Sequence, residues 1–588
     1  MTGRHIVRHR TKILVRLPCD TPVVDVEINP YVHVVRRQSP LPKVRQACVV
    51  VCERTAAEKT GEKLNLRLWY RKQISSSCQA EVHCSIHRDK LATLQCSSCV
   101  TLNLPVEESY YCSTSCFIKA WKKHRVSHDR AYETDRTTDE KTGRELGSCG
   151  SWHGNEFIMV EWLKVGSSKS YTPTSDDWGS ILKLEVVAVD CSTGAPLAPV
   201  KVVETNAVIT APNCEPRCII KCLLNGGNFD TKVHSSNNAT FSVLSYNVLA
   251  DVCATRERYS YCPTWALVWE YRRQKLVNEI IEYDADIICL QEVQSDHFES
   301  FYEPELTKHG YSVMYTKKTP VLYTANKFVT DGCATFYRRK LFKVIMKRED
   351  NVAHIAVLET LDSERFRDVP QSRICVANTH IHANSDSPDV KLFQVVRLVN
   401  VLEEIVQFHT PLLICGDLNS LPLSDPHRFI VSGRCDLVDN EIKEHLDIFN
   451  HLKMRHSLPL ASAYASFSLS AGNEKPQQTM DTRAMEPLFT NFTKNFSGTL
   501  DYIFYTENSL RVEGLLNLLD RETLGPGLPS PVWPSDHIAL MARFSLKPQP
   551  TRLGRQSLGS PPNSWQKTAA RQVVYQQAAA AAGKFLFL

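Results

Sequence analysis

The chain has 588 residues, of which 43% are hydrophobic and 23% are charged, and its formal net charge is +5 at pH 7. This composition is typical of a globular protein and excludes wholesale disorder, while the length exceeds what one hydrophobic core supports and predicts two to four domains. A charge of +5 on so long a chain permits an anionic partner without requiring one.

The sequence has no apolar run near the roughly 18 residues that cross a bilayer, and its basic N-terminus lacks the apolar stretch of a secretory signal. We therefore expect neither an anchor nor export. We expect the protein in the cytoplasm, with the nucleus as a second location. In a reducing compartment the 21 cysteines are better explained as thiols and metal ligands than as disulfides.

Short β-like stretches dominate the N-terminal part of the chain. Residues 1–77 predict a small β region, with strands near Lys12–Leu17 and in the alternating stretch Leu64–Tyr70. Residues 157–235 carry apolar stretches that flank a turn-rich segment, and they predict a small β module followed by a linker.

Between these regions, residues 78–132 contain four closely spaced pairs of Cys and His, and residues 133–156 predict a polar linker. Pairs two or three residues apart can hold one ion from a single turn of chain, so the segment offers donors for two tetrahedral zinc ions. Such a short segment buries little core, and bound metal would supply its folding energy. Cys78 and His83 are possible substitutes for a ligand. The candidate zinc ligands are Cys84, His87, Cys96, Cys99, Cys112, Cys116, His124 and His128.

Residues 236–547 alternate short apolar strands with amphipathic helices, which is the pattern of an α/β domain. One helix is well marked, because Ser387 can cap it, Pro388 suits its first position, and apolar residues recur on one face with Lys391 off that face. Residues 548–588 are rich in Pro, Gln, Ser and Ala and predict a flexible tail.

Six apolar strands of the α/β block have polar residues at their ends that packing does not explain. Ligands collect at strand ends and adjoining loops in such folds, so these residues can converge. Asn, Glu and Asp oxygens are ligands of a hard cation such as Mg²⁺, which can neutralise a phosphodiester under attack by water. Each residue alone is more often a cap or turn residue, but the ordered set predicts metal-dependent phosphoester hydrolysis. The set is Asn247, Glu292, His380, Asp417, Asn419, Asp501, Asp536 and His537.

The block from Tyr110 to His128 reads YYC-x3-C-x4-W-x2-H-x3-H and resembles the C-terminal half of a MYND zinc finger, a module that binds proline-containing peptides. His87 and His128 stand where that family usually has Cys. The resemblance implies an interleaved pattern, in which one zinc ion takes Cys84, His87, Cys112 and Cys116 and the other takes Cys96, Cys99, His124 and His128.

Taken in order, the motifs YN, QE, NTH, GDLN, LDY and SDH resemble the exonuclease–endonuclease–phosphatase superfamily across residues 241–544. The implied fold is an α/β two-layer sandwich. We therefore expect a multidomain chain in which this C-terminal fold follows small β elements and a zinc-binding module. The superfamily contains several kinds of phosphoesterase, so its shared motifs imply the reaction and not the substrate.

The sequence between these motifs narrows the choice of family within the superfamily. YNVLAD at 246–251, VANTHIHANSDSPDVKL at 376–392 and NFSGTLDYIFYT at 495–506 resemble the nuclease domain of carbon catabolite repressor protein 4, and SYTPTSDDWGSILKLE at 170–185 resembles plant-type members. This implies a 3′-to-5′ exoribonuclease that removes adenosines from mRNA poly(A) tails by Mg²⁺-dependent hydrolysis, releases 5′-AMP and acts in mRNA decay. The implied partners are the RNA 3′ poly(A) tail and, through the zinc module, the other deadenylase subunit of the NOT complex. No leucine-rich repeat of the fungal and animal kind is visible.

The resemblance also implies roles for the metal-binding and reactive residues. Glu292 would be the principal ligand of one or two Mg²⁺ ions, and Asn247 and Asp536 would help to hold them. His537 would contact the scissile phosphate. Asp417 would activate water, although for that role the spacing leaves Asp501 and His537 open as well.

Other residues are implied to contact or stabilise the substrate. His380 would stabilise the transition state, with Asp501 as its polar support, and Asn419 would bind phosphate or base. Phe496 stands where the family has an aromatic that stacks on a base, although a Phe beside a strand is often core. Ser385 replaces the Pro that relatives have on the other side of that base.

Two rival functions remain open from sequence. One is a related RNA 2′-phosphodiesterase or nucleotide 2′-phosphatase, which shares the catalytic motifs. The other is a catalytically inactive zinc-finger adaptor, but no catalytic position that aligns is lost.

Overall fold

The structure, a computed structural model, describes residues 10–37, 50–51, 62–63, 67–73, 83–90, 92, 94–96, 99, 109–136, 161–190, 196–213, 216–221, 239–318, 322–324, 327–350, 353–361, 364–366, 372–406, 410–435, 452–465 and 479–547. The expected tail at 548–588 lies outside these residues, as does most of the expected linker at 133–156. Among the described residues, no helix is long and apolar enough to cross a membrane.

The strands of the N-terminal part are β1 (Arg10–Arg16), β2 (Tyr31–Arg37), β3 (Val50–Val51), β4 (Glu62–Lys63), β5 (Arg67–Gln73), β6 (Leu94–Gln95), β7 (Tyr110–Tyr111), β8 (Glu161–Gly166), β9 (Ile181–Val186), β10 (Val189–Asp190), β11 (Lys201–Ala207) and β12 (Ile219–Lys221). Those of the α/β block are β13 (Thr240–Asn247), β14 (Ile287–Gln294), β15 (Tyr311–Lys317), β16 (Leu322–Thr324), β17 (Lys327–Val329), β18 (Asp331–Arg338), β19 (Phe342–Asp350), β20 (Ala353–Thr360), β21 (Arg373–His380), β22 (Leu412–Asp417), β23 (Leu460–Ser462), β24 (Asn491–Phe492), β25 (Ser497–Gly498), β26 (Asp501–Thr506), β27 (Leu510–Leu516) and β28 (Leu540–Leu546). The α-helices are α1 (Thr114–Arg136), α2 (Thr264–Leu267), α3 (Trp269–Tyr283), α4 (Ser295–His297), α5 (Glu303–Lys308), α6 (Pro388–Ile405) and α7 (Asp425–Ser432).

The two β regions that the sequence separates share one sheet. β5 pairs with both β8 and β9, in a sheet of order β11-β9-β5-β8. Trp69 of β5 is fully buried in one apolar cluster with Leu182 and Leu184 of β9 and with Ile13 of β1. The zinc segment is therefore inserted between strands of one β module. The alternation of apolar and polar residues predicts which face of a strand is buried but not which strand it pairs with. The sequence alone therefore predicts two separate β regions.

Two mixed sheets pack face to face in the α/β block, with strand orders β12-β27-β28-β13-β14-β18-β15 and β19-β20-β21-β22-β26-β23. The central pairs β13–β14 and β21–β22 are parallel. Phe241 and Cys289 of the first sheet meet Val376 and Ile503 of the second in a dry core. Helix α3 covers the outer face of the first sheet and α6 that of the second. The expected α/β sandwich is confirmed.

Helix α6 begins at Pro388 as the sequence predicts, but two details differ. Ser387 occupies the N-cap position, yet its side chain makes no capping hydrogen bond. Lys391 lies off the predicted apolar face but is only 9% exposed, and its Nζ donates to the carbonyl oxygen of Asn419 at 2.7 Å. Its aliphatic stem is buried while its ammonium reaches the loop after β22, as long basic side chains commonly allow.

Candidate active site and zinc module

The predicted strand-end residues come together at one edge of the two sheets. Parallel strands end at the same edge, so Asn247 at the end of β13 lies beside Glu292 of β14, and His380 at the end of β21 is the register partner of Asp417. Asp501 begins β26 and lies directly opposite Asp417. One edge of the sheets therefore collects residues that are far apart in sequence.

A β-bulge turns Glu292 towards this edge. The β14–β18 register shifts between Leu290 and Val293, and Glu292 has a φ of 57°, in the left-handed region. Such a backbone costs about 1–3 kcal/mol in a non-glycine residue and persists where its surroundings hold it. Here the Ala250 N–H donates to Oε2 of Glu292 at 2.9 Å, and Nδ2 of Asn247 donates to Oε1 at 3.1 Å.

A glycine permits the close approach that positions Asp417. Gly416 has a φ of 141°, and a Cβ there would lie 1.9 Å from the carbonyl oxygen of Thr379. Only glycine tolerates this contact. The Asp417 carboxylate then accepts from the Asn419 N–H at 2.7 Å and from Nδ2 of Asn247 at 3.0 Å.

His537 is held by Asp501. Nδ1 of His537 lies 2.7 Å from Oδ2 of Asp501, and the Thr490 hydroxyl donates to the same oxygen at 2.6 Å. Burial opposes the charge on the ring, but the carboxylates of Asp501 and Asp536 outweigh it and hold the pKa of His537 well above its usual value. Nε2 of this imidazolium lies 3.7 Å from Oδ2 of Asp417.

Burial is the main cause of the pKa shifts of Asp417, Glu292 and His380. Burial, reinforced by Asp501, raises the pKa of Asp417 to about 7. Burial and then the charge of Asp536 raise the pKa of Glu292. Burial lowers the pKa of His380 well below its usual value, so its ring is neutral, with Nε2 3.7 Å from Oδ2 of Asp417. The site thus crowds carboxylates that are largely buried from solvent.

The donor set suits a divalent cation. Oδ2 of Asp536 accepts from the Tyr259 hydroxyl at 2.9 Å and from Nδ2 of Asn491 at 3.1 Å. Within the described part of the chain, Oδ1 of Asp536 and Oδ1 of Asp501 are buried without a hydrogen-bond partner. Hard, unpaired oxygens among crowded carboxylates are the ligands that Mg²⁺ prefers.

The predicted substrate residues lie on loops beside this edge. Phe496 is 38% exposed and therefore does not belong to the core. It closes a turn in which the Thr493 N–H donates to its carbonyl oxygen at 2.7 Å. A Cβ on Gly498 would approach both Phe496 and the exposed Leu421, so these two apolar side chains lie side by side. Ser385 is exposed in the loop before α6.

Sequence reasoning missed four residues that hold this site: Tyr259, Thr490, Asn491 and Lys391. Tyr259 and Asn491 donate hydrogen bonds to Asp536, and Thr490 donates one to Asp501. Lys391 donates to the carbonyl oxygen of Asn419, in the loop that follows Asp417. None of the four belongs to the six strand-end motifs. A polar residue that supports a carboxylate has no signal of its own in one sequence.

The eight candidate zinc ligands form two groups of four. In the first group Sγ of Cys84 lies 3.6 Å from Sγ of Cys116, and in the second Sγ of Cys99 lies 3.1 Å from Nε2 of His128. Hydrogen bonding with Cys99 lowers the pKa of Cys96 to about 3, as suits a thiolate ligand. His83 belongs to neither group, and Cys78 lies outside the described residues. The groups are Cys84, His87, Cys112 and Cys116, and Cys96, Cys99, His124 and His128.

Two family models match the chain. The Endonuclease/Exonuclease/phosphatase family matches residues 244–537, which span the α/β block and its candidate active site. A zf-MYND-like zinc finger, described as mRNA-binding, matches residues 78–130. The two matched regions coincide with the two places where the structure gathers metal-binding side chains.

Three known proteins illustrate the similarity. ANGEL2, a 2′,3′-cyclic phosphatase solved with adenosine-2′,3′-vanadate, covers 57% of this chain and 99% of its own at 25% identity and a TM-score of 0.44. The CCR4-Not complex 3′-5′-exoribonuclease subunit Ccr4 of Saccharomyces cerevisiae is 34% identical over 52% of this chain and 38% of its own length. Carbon catabolite repressor protein 4 homolog 1 of Arabidopsis thaliana is 40% identical over 92% of this chain and 99% of its own. The chain therefore belongs to the carbon catabolite repressor protein 4 family.

Proposed function

We propose that the chain is a Mg²⁺-dependent 3′-to-5′ exoribonuclease that removes adenosines from mRNA poly(A) tails and releases 5′-AMP. The convergence of strand-end carboxylates, amides and histidines at one edge carries the proposal. The similarity to a yeast protein named as a 3′-5′-exoribonuclease supports the choice of RNA as substrate.

Glu292, Asn247 and Asp536 would hold the cation. The amide nitrogen of Asn247 now faces Glu292 and Asp417, while its oxygen accepts from the Leu249 N–H at 3.1 Å. A half-turn of this amide would present its oxygen instead. The bound cation would neutralise the phosphate oxygens and stabilise the leaving oxygen.

Asp417 is the base that the geometry favours. Its raised pKa near 7 lets it accept a proton at neutral pH, whereas Asp501 is already committed to His537 and Thr490. The oxygen of the attacking water forms a bond to phosphorus and its proton passes to Asp417. The bond from phosphorus to the 3′ oxygen breaks, and that oxygen takes a proton from the His537 imidazolium. The products are 5′-AMP and an RNA shortened by one nucleotide.

Four further residues would bind or stabilise the substrate. His380 is neutral and buried beside Asp417, where it can hydrogen-bond a phosphate oxygen in the transition state. Asn419 would contact the phosphate or the base. Phe496 offers an exposed ring on which an adenine can stack, with Ser385 on the opposite loop.

The zinc module would bind two zinc ions and deliver the nuclease to its target. Relatives named as subunits of the CCR4-Not complex support assembly with another deadenylase subunit, and we assign that contact to this module. The complex would act on mRNA in the cytoplasm, with a second pool in the nucleus.

A timed digestion of 5′-labelled RNA tests the function. With Mg²⁺, an A-tailed RNA should shorten in single-nucleotide steps that slow at the tail boundary, and EDTA should stop the reaction. Hydrolysis of 2′–5′ oligoadenylate or NADPH in preference to the A tail would favour the rival phosphatases, and no hydrolysis of any substrate would favour an adaptor.

A further inference from the structure

A fully buried arginine links the two loops that carry the proposed metal ligands. Arg272 of α3 is 0% exposed, and its guanidinium donates to the carbonyl oxygens of Leu249 at 2.5 Å and Pro534 at 2.9 Å. Leu249 lies two residues after Asn247, and Pro534 lies two residues before Asp536. Burying a guanidinium costs free energy unless its donors find acceptors. Both Nη groups of Arg272 are paired, while its Nε has no partner in the described part of the chain, and the Nη bonds fix the two loops relative to each other.

Further contacts hold the same two loops. The Ser535 hydroxyl donates to the carbonyl oxygen of Asn247 at 2.6 Å, and the Tyr259 hydroxyl donates to Oδ2 of Asp536 at 2.9 Å. Leu249 has a φ of 55°, a strained conformation for leucine that its surroundings must maintain. The position of the metal ligands therefore depends on what packs behind these loops.

The N-terminal β module packs there. Val23 and Val26 of this module are 2% and 8% exposed, and they share one apolar cluster with Leu249, Tyr259 and Tyr271. Side chains of the module thus lie in the cluster that supports the strained loop and the tyrosine bonded to the metal ligand.

Polar contacts seat the module on the outer side of α3. Their donors are the three residues that directly follow Arg272. One turn of α3 therefore contacts both the loops of the active site and the β module. The contacts are Arg273 Nη2 to Glu27 Oε2 at 3.4 Å, Gln274 Nε2 to the Asp25 carbonyl oxygen at 2.8 Å, and Lys275 Nζ to the Pro212 carbonyl oxygen at 2.5 Å.

We propose that the β module is a structural part of the nuclease centre: packed on α3 and on the loop after β13, it fixes through Arg272 and Tyr259 the separation of the loops that carry Asn247 and Asp536. Val23, Val26, Arg272 and Tyr259 are positioning residues in this scheme. The inference rests on the proposed function only for the presence of a divalent cation at these ligands.

Mn²⁺ binding to the full chain without RNA, followed by the electron paramagnetic resonance signal of free Mn²⁺, tests this coupling. Glu292→Ala should abolish the active-site binding and so identify it. The Val23→Ala/Val26→Ala double variant should raise the Kd for Mn²⁺ roughly threefold, in the range of coupling through packed networks. Tyr259→Phe, which keeps the ring and removes one hydrogen bond, should raise it about tenfold, as loss of a partner of a metal ligand commonly does.

Leu184→Ala is the matched control, because it removes buried volume from the module's own core without touching the nuclease. It should lower thermal stability and leave the Kd unchanged. Equal Kd values for the wild type and the double variant, or equal shifts in the double variant and Leu184→Ala, would overturn the proposal. A chain that shows the expected order of Mn²⁺ affinities but does not shorten RNA would refute the proposed function and leave the coupling intact.

Discussion

The zinc module and the nuclease domain both gather metal-binding side chains, but they depend on metal in opposite ways. The apolar cluster of the zinc module consists largely of its own thiols, joined by Tyr111 and Phe117. The nuclease instead has a dry core between two sheets, and its carboxylates lie at the edge of that core. Metal should therefore supply the folding energy of the first region and only the chemistry of the second.

The largest expected effect is loss of the zinc module in a Cys96→Ser/Cys99→Ser double variant. Structural zinc is worth about 10–16 kcal/mol, far more than such a small core can replace. The nuclease should keep its activity on naked RNA, because the insert leaves and re-enters the β module at β5 and β8, which pair directly. Zinc content and co-purification with the partner subunit would fall, and proteolysis within residues 83–136 would rise.

The control for this variant is Cys218→Ser, which changes an exposed free cysteine outside both groups. It should retain two zinc ions and the partner. Simultaneous loss of nuclease activity in the Cys96/Cys99 variant would contradict the comparison, since it would make zinc part of the nuclease fold.

Glu292→Ala tests the opposite dependence. We expect RNA hydrolysis to fall by about three orders of magnitude, since charge stabilisation by a metal contributes several kcal/mol and each 1.4 kcal/mol is tenfold. Thermal unfolding should change little, because the hydrogen bonds lost from Ala250 and Asn247 are offset by removal of a buried carboxylate and of its repulsion with Asp536. Glu282→Ala, at an exposed position, should be neutral on both measures. Substantial deadenylation by the Glu292 variant would disprove the metal assignment.

Sequence predicted which candidate ligands come together in both regions better than it predicted the contacts that support them. Strand-end motifs lead to Asn247, Glu292 and Asp417 because ligand residues lie where neighbouring parallel strands end, and spaced Cys and His pairs lead to both zinc groups. In each case the signal is local, because a short stretch of chain carries both the element and its functional residue.

The contacts that support the two sites could not be predicted from local sequence patterns. The union of β5 with β8 and β9 depends on strand partners that lie far apart in the chain. In the sequence Arg272 and Lys391 resemble solvent-exposed charges on helices. Both are buried, because each donates a hydrogen bond to a backbone carbonyl oxygen. Such long-range pairings leave no period or spacing in the sequence.

Acid should destabilise the nuclease core at the buried His354. His354 of β20 is 1% exposed, and in the described part of the chain neither ring nitrogen has a hydrogen-bond partner. Burial lowers the pKa of His354 to about 4. The unfolded chain takes up a proton near pH 6.5 and the folded chain does not, so stability is complete above pH 6.5 and is lost as the pH falls towards 4, by up to about 3 kcal/mol.

Urea unfolding of the nuclease, followed between pH 7.5 and 5, measures this loss. His354→Phe should flatten the decline, whereas His309→Phe at a surface histidine should keep the wild-type slope. If the free energy of unfolding declined equally with falling pH in all three proteins, His354 would not cause the loss of stability in acid.

The smallest expected effect is at Phe496, whose ring is exposed and contributes little to the fold. Stacking of a base on an aromatic ring is worth about 1–3 kcal/mol, so Phe496→Ala should raise the KM for A-tailed RNA about tenfold with little change in kcat. Purines stack more strongly than pyrimidines, and the KM for a U-tailed RNA should therefore rise less. Val431→Ala, at a similarly exposed position on α7, serves as the control. An equal rise for both tails would show that Phe496 binds RNA without favouring adenosine, and the preference would then have to come from Asn419 or from the loop around Ser385.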